Sequence, residues 1–141
     1  MRDIEFRGKT FTNNWIFGSF VSSENLPPAI YFEVGEKYKR FDWGVVRHET
    51  VGQYTGLLDR NKVKIFEGDI VRVSLYDNSK IVPDSEEIIG SVVFQYGEYT
   101  LQRETKSEIK IYTLSGVLEE LMCNYEVIGN IHDNPELLRA N

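Results

Sequence analysis

Cysteine is all but missing from the 141 residues: Cys123 stands alone, which excludes an internal disulfide and a zinc site built from thiolates. Histidine is nearly as scarce. His48 and His132 are the only two, and His48-Glu49 lacks the second histidine of a zincin helix. No stretch approaches the ~18 consecutive apolar residues of a membrane helix. The opening MRDIEFRGK carries charges where a signal peptide has its apolar region, so the expected compartment is the cytoplasm and no membrane is expected as a partner. Positive charge is also short, with 16 Lys and Arg against 22 Asp and Glu. A net charge of -6 does not hold a chain to phosphate backbones by bulk field. The deficit is uneven: residues 1–50 carry seven basic and seven acidic side chains, and the rest of the chain holds the whole excess. Any anion-binding face must therefore be local.

What is present is a composition that folds. Hydrophobic residues make up 41% and charged residues 27%, inside the globular range, and the length suits one ordinary domain or a compact core with an appendage. There is no internal repeat and no low-complexity tract. Proline is confined to Pro27, Pro28, Pro83 and Pro135, where it punctuates the chain.

Short runs rich in β-branched and aromatic residues read as strands: Trp15 to Val21, Ala29 to Val34, Val63 to Phe66, Ile70 to Tyr76, Ile88 to Tyr96, Tyr99 to Arg103, Ile109 to Thr113 and Tyr125 to Ile131. Val71, Val73 and Leu75 alternate with Arg72, Ser74 and Tyr76, a period of two that buries one face and wets the other. Gly97, in Gln95-Tyr96-Gly97-Glu98, supplies the positive φ of a tight reversal, so the flanking strands are expected to pair as a hairpin. One helix is expected near 115–122, where Leu114, Val117, Leu118, Leu121 and Met122 form an apolar stripe after the candidate N-cap Ser115. Asp77 to Glu87 reads as a long polar loop. Asn134 followed by Pro135 reads as the start of a last helical turn.

The densest motif is TVGQYTGLLDRNKVKIFEGDIV, Thr50 to Val71. Gly52 and Gly56 are not followed by a Lys-Ser or Lys-Thr pair or by a helix, so they read as loop glycines, not a phosphate loop. Asp59-Arg60-Asn61-Lys62 reads as a hairpin loop, in which a positive φ at Lys62 would be costly. Glu67 and Asp69 have no third or fourth ligand at a spacing that completes a metal site. Turn chemistry explains them, with Gly68 supplying the unusual dihedral and Asp69 accepting from backbone amides. Cys123 with His132 can be written as a nucleophilic pair, but a lone cysteine beside an apolar stripe reads as a small buried hydrophobe.

Two basic and aromatic sets are candidates for nucleic-acid contact, because stacking and phosphate neutralisation need both residue types. One is the run Lys37 to Trp43, containing Lys39, Arg40 and Phe41. The other is Tyr54, Arg60, Lys62 and Lys64. The plainer reading of the first run is a solvated strand edge whose lysines block sheet-to-sheet pairing.

The ordered set Phe6-Arg7-Gly8-Lys9, Trp15, Gly18, Thr50 to Leu57, Asp59, Asn61, Ile65, Glu67 to Val71, Glu126 to Ile131 (with Gly129) and Asn134 to Leu138 resembles the YopX family of phage and prophage proteins. One departure stands out: the family pattern typically has glycine after the loop asparagine, where this chain has Lys62. The resemblance implies a small intracellular phage or prophage protein and supplies no catalytic residues, since the matching positions are mainly glycines, turn formers and strand apolars.

The expected fold is mainly β with some α: a small SH3-like β-barrel over 51–141 with one packed C-terminal helix, preceded by an N-terminal β segment over 1–50. The expected function is a non-enzymatic interaction module for a host or phage protein, working through strand edges or the Asp59 to Lys64 hairpin and able to self-associate, with no cofactor and no metal. The alternatives are a nucleic-acid-binding barrel, with Trp43, Tyr54, Arg60, Lys62 and Lys64 as its face, and a small hydrolase using carboxylates such as Glu67, or Cys123.

Overall fold

The computed structural model describes residues 1–74, 87–114 and 124–139. The chain divides into two units, Met1–Gly56 and Leu57–Asn141.

The first unit is an antiparallel sheet of β1 (Phe6–Lys9), β2 (Trp15–Ser23), β3 (Leu26–Val34), β4 (Arg40–Val45) and the start of β5 (Gly52–Leu58). The strands lie in the order β4-β3-β2-β1-β5. The sequence has β-branched and aromatic side chains at alternate positions, and the pleat sends them to opposite faces. On one face the cross-strand partners Phe20 and Ile30 meet, with the Phe6 ring 5.7 Å from that of Phe20. Ile30 is fully buried there. Thr50, in a 3₁₀ turn at His48–Thr50, pins the start of the dense motif: its hydroxyl donates to the Arg47 carbonyl and accepts from the Lys9 amide. Gly52 pairs with Arg7 inside β5, so it is a strand glycine and not the loop glycine the spacing suggested. Side chains pack poorly at glycine, which is why β5 is hard to see as a strand from composition.

The second unit contains β6 (Lys64–Phe66), β7 (Asp69–Ser74), β8 (Glu87–Gln95), β9 (Glu98–Glu104), β10 (Ile109–Thr113) and β11 (Asn124–Asn130). Its main sheet is antiparallel in the order β10-β9-β8-β7-β11. Ile65, Val71, Val73, Ile88, Val92, Leu101 and Leu114 form its core, with Tyr99, Tyr112, Tyr125 and Val127 packed against them. The β8–β9 reversal is a two-residue hairpin in which Gln95 faces Glu98. Tyr96 and Gly97 both have positive φ, at 54° and 82°, the pattern of a type I′ turn that matches the twist of its strands.

The SH3-like barrel does not form. β10 and β11 are open edges of the second sheet, and among the described residues no pairing joins them. The chain brings β11 back beside β7, while β8, β9 and β10 meander away on the other side; closure would require the two outer strands to meet. The expected mixture of strand and helix is corrected as well: the described residues are nearly all β, no described helix reaches seven residues, and the described C-terminus ends in a 3₁₀ turn at Pro135–Leu138. The stretch 115–122, the loop 77–86 and Cys123 lie outside the described residues.

Lys62 has φ of 62°, in the left-handed region that costs a side-chain-bearing residue about 1 kcal/mol. Lys62→Gly is therefore expected to raise stability by no more than about 0.6 kcal/mol, after the added chain entropy of glycine is subtracted, read as a small upward shift of the urea midpoint.

Candidate functional site

Three strands of the first unit build a surface that the hydrophobic pattern alone would have buried. The register pairs are Arg7 with Phe17, Ser19 with Tyr31, Tyr31 with Trp43, and Glu33 with Phe41. Because successive side chains alternate, these pairs put Phe17, Val21, Tyr31, Phe41 and Trp43 on one face, opposite the face that holds Ile30. All five are exposed, from 37% at Tyr31 to 78% at Phe41. Tyr31 and Trp43 stack with centroids 6.1 Å apart and planes 23° from parallel. A row of exposed rings this dense is unusual on a soluble sheet.

Polar groups frame the row. Lys39 donates to the Glu33 carboxylate at 2.7 Å, and that hydrogen bond, then the carboxylate charge, pushes the Lys39 ammonium up from its ordinary value. Trp43 lies on the edge strand β4, where its amide donates to Asp42 Oδ1 at 2.8 Å. A backbone donor on the strand expected to offer edge pairing is thus already taken by a side chain.

A second constellation surrounds the Asp59 hairpin in the Leu57–Asn141 unit. Asp59 is 5% exposed. Its Oδ1 accepts from the amides of Asn61 and Val63 at 2.8 and 2.9 Å, and its Oδ2 accepts from the Val127 amide at 3.0 Å. The Arg60 amide donates to the Tyr125 carbonyl, so the hairpin is tied to β11 by both backbone and side chain. Arg60 and Arg72 each donate a guanidinium N–H to Glu126 Oε2, at 3.1 and 3.0 Å. With Ser74 and Glu87 they line a polar cavity of about 270 Å³. Its two guanidinium groups and two carboxylates balance, so it offers no net field to an anion.

Of the positions read from sequence, Trp43 is on the exposed aromatic face, whereas Tyr54 is 7% exposed within β5. Arg60 is engaged with Glu126, Lys62 is exposed on the hairpin, and Lys64 is half-buried in β6. Gly56 and Gly68 have φ near 87° and 88°. Asp69 Oδ2 accepts from the Phe66 amide across that second turn. Gly129 follows a register shift in β11, and a Cβ there would lie 2.6 Å from Asn134 Oδ1. Asn130 Oδ1 accepts from the His132 and Asp133 amides, turning the chain out of the strand. Sequence reasoning missed Phe17, Tyr31 and Glu126. Phe17 and Tyr31 carry the same strand signal as buried residues, and only the register of β2, β3 and β4 separates the two faces.

Glu67 is half-buried, and burial pushes its carboxyl above the ordinary carboxylate value, partly offset by the Phe94 backbone hydrogen bond. The folded state therefore holds the proton more tightly than the unfolded one. The resulting penalty is absent below the unfolded value and complete above the folded one. Stability of the wild type relative to Glu67→Gln is thus expected to fall as pH rises from about 4 through the raised folded value, measured by thermal melts of both proteins across that window.

Among the described residues no group of three or more His, Cys, Asp or Glu side chains stands where a metal ion could be held. None of the described helices is long and apolar enough to cross a membrane.

Comparison with known proteins gives one family match, to the family described as YopX protein, over residues 5–139. No curated protein matches the chain. Among solved structures the chain is similar to the crystal structure of protein EF1440 from Enterococcus faecalis. The two share 24% identity and a TM-score of 0.52, covering 98% of this chain and 99% of that one. At that identity the likeness speaks for the fold alone.

Proposed function

The chain belongs to the YopX family, and on that footing we propose that it is a phage- or prophage-encoded, non-enzymatic interaction module that docks a protein in the host cytoplasm. The docking surface is the aromatic face of β2, β3 and β4. The observation that carries this reading is the exposure of Phe17, Tyr31, Phe41 and Trp43 side by side. Removing such rings from water contributes about 1.5–3 kcal/mol each when they are fully buried, and Trp and Tyr are the residue types that dominate binding energy at interfaces. The Asp42 carboxylate on the Trp43 amide disfavours strand addition at β4, so the contact is to the face and not to the edge.

The nucleic-acid reading draws less support. It needs positive charge beside the rings, and of the basic side chains flanking Phe41, Lys39 already holds Glu33 while Arg40 alternates to the other face of β4. The discriminating experiment places a photo-crosslinking amino acid at Ser19, the cross-strand partner of Tyr31 on this same face, in cells that make the protein. A discrete protein adduct that disappears with Phe41→Ser supports the reading. An adduct with nucleic acid, or protein adducts formed only from positions off the face, rejects it.

A further inference from the structure

We propose that the first protein to occupy this face is a second copy of the same chain, the two sheets packed face to face about a twofold axis. The proposal rests on the reading of the β2–β3–β4 face as the docking surface and adds what docks there.

Area is the first argument. Phe17 is 45% exposed, Tyr31 37%, Phe41 78% and Trp43 55%, with Val21 beside them at 42%. An aromatic side chain offers roughly 200 Å², so these five residues leave roughly 450 Å² of mostly apolar surface on each copy. A stable interface takes about 800 Å² from each partner. More than half of that requirement is met by five side chains before any rim residue is added, and the one carboxylate among the rings, Glu33 across from Phe41, already holds Lys39.

Charge is the second argument. Two copies meeting through their first units bring together surfaces drawn from residues 1–50, where seven basic side chains balance seven acidic ones. The excess of negative charge lies in the rest of the chain. The charged pair closest to the rings, Lys39 with Glu33, is already neutralised within each copy. A neutral apolar centre favours a like surface over a polyanion.

Geometry is the third. Sheets that pack by their faces sit about 10 Å apart with interdigitating side chains, and a twofold arrangement presents the same patch from both partners. The capped Trp43 amide disfavours the competing arrangement, in which the β4 edges of two copies pair into one continuous sheet.

The test is mass by sedimentation velocity and light scattering from low micromolar to several hundred micromolar protein. It compares the full chain with the double variant Phe41→Ser, Trp43→Ser. The expected result is twice the chain mass for the wild type at the upper concentrations and the single mass for the variant throughout, with far-UV circular dichroism unchanged. Where the double variant fails to fold, Val21→Asp on the same face repeats the comparison. A wild type that stays monomeric throughout, or a variant that dimerises equally well, overturns the proposal.

In the monomeric case the emission of Trp43, isolated as the difference from Trp43→Phe, separates the two levels of the argument. Red-shifted emission that acrylamide quenches freely leaves the docking surface standing and removes only the second copy. Blue-shifted, shielded emission shows the ring covered within one chain and removes both. Retention of labelled oligodeoxythymidine by a monomer, lost in the double variant, overturns the second copy in favour of single-stranded nucleic acid.

Discussion

Asp59→Ala is expected to destabilise the Leu57–Asn141 unit by about 3 kcal/mol, because it removes the buried carboxylate that three half-buried backbone donors share. The three donors belong to two parts of the chain. Asn61 and Val63 lie within the hairpin, and Val127 lies in β11, 68 residues away. Losing the first two loosens a turn. Losing the third releases β11 from the hairpin and undermines the pairing of β11 with β7. Asp59→Asn keeps the size and one acceptor oxygen, so it serves only one side of the bridge and is expected to cost about 2 kcal/mol. Urea unfolding of the three proteins checks this: midpoints should fall in the order wild type, Asn, Ala, with unchanged m-values. Equal midpoints would mean that the backbone ladder alone holds β11 in place. Mutation of the neighbouring Arg60, whose partner Glu126 keeps Arg72, should have a far smaller effect, since exposed ion pairs contribute about 0–1 kcal/mol.

The second large effect is expected in the first unit. A Cβ added at Gly18 would fall on the carbonyl oxygen of Tyr31, with the carbonyl carbon 2.9 Å away. The obstacle is backbone, which unlike a flexible side chain has no other rotamer to adopt. Gly18→Ala must therefore push β2 away from β3 and is expected to cost about 3 kcal/mol or more. Because Tyr31 stands on the aromatic face, the same substitution should disturb the stack of Tyr31 on Trp43. Trp43 emission therefore reports the loss alongside denaturation of the unit. Gly56→Ala is the contrasting control. No atom lies within 4 Å of its would-be Cβ, so only the positive φ opposes the side chain. Its expected cost is about 1–2 kcal/mol, without any change at Trp43.

Much of the strand framework was legible from residue types. The apolar runs that start at Trp15, Ala29, Ile70, Ile88, Tyr99, Ile109 and Tyr125 each begin inside a strand, because alternation is a local property of the chain. The Tyr96-Gly97 reversal was legible for the same reason, through the dihedral demanded at Gly97. β1 and β5 were not read as strands, and β4 was read only as a solvated strand edge. β4 does alternate, with Phe41, Trp43 and Val45 against Arg40, Asp42 and Gly44, but its apolar side is the exposed one, while β5 holds two glycines in seven residues and shows no clear two-residue period. They become strands because neighbours supply the hydrogen bonds, which is tertiary context overriding weak local preference. Barrel closure was misjudged for a related reason: strand number and spacing say nothing about whether the two outermost strands reach each other.

Residue chemistry alone determined that this chain would be rich in strands, tightly turned at Gly68 and Gly97, and without the cysteine and histidine sets that most metal and thiol chemistry requires. These are properties of single residues and near neighbours, where backbone dihedrals and side-chain alternation act. Tertiary structure decided which rings face water and what Asp59 holds. A shift of register by one residue would exchange the buried and exposed faces of β2, β3 and β4 without changing a letter of the sequence. The acceptor for the Val127 amide likewise becomes defined only when two distant segments meet.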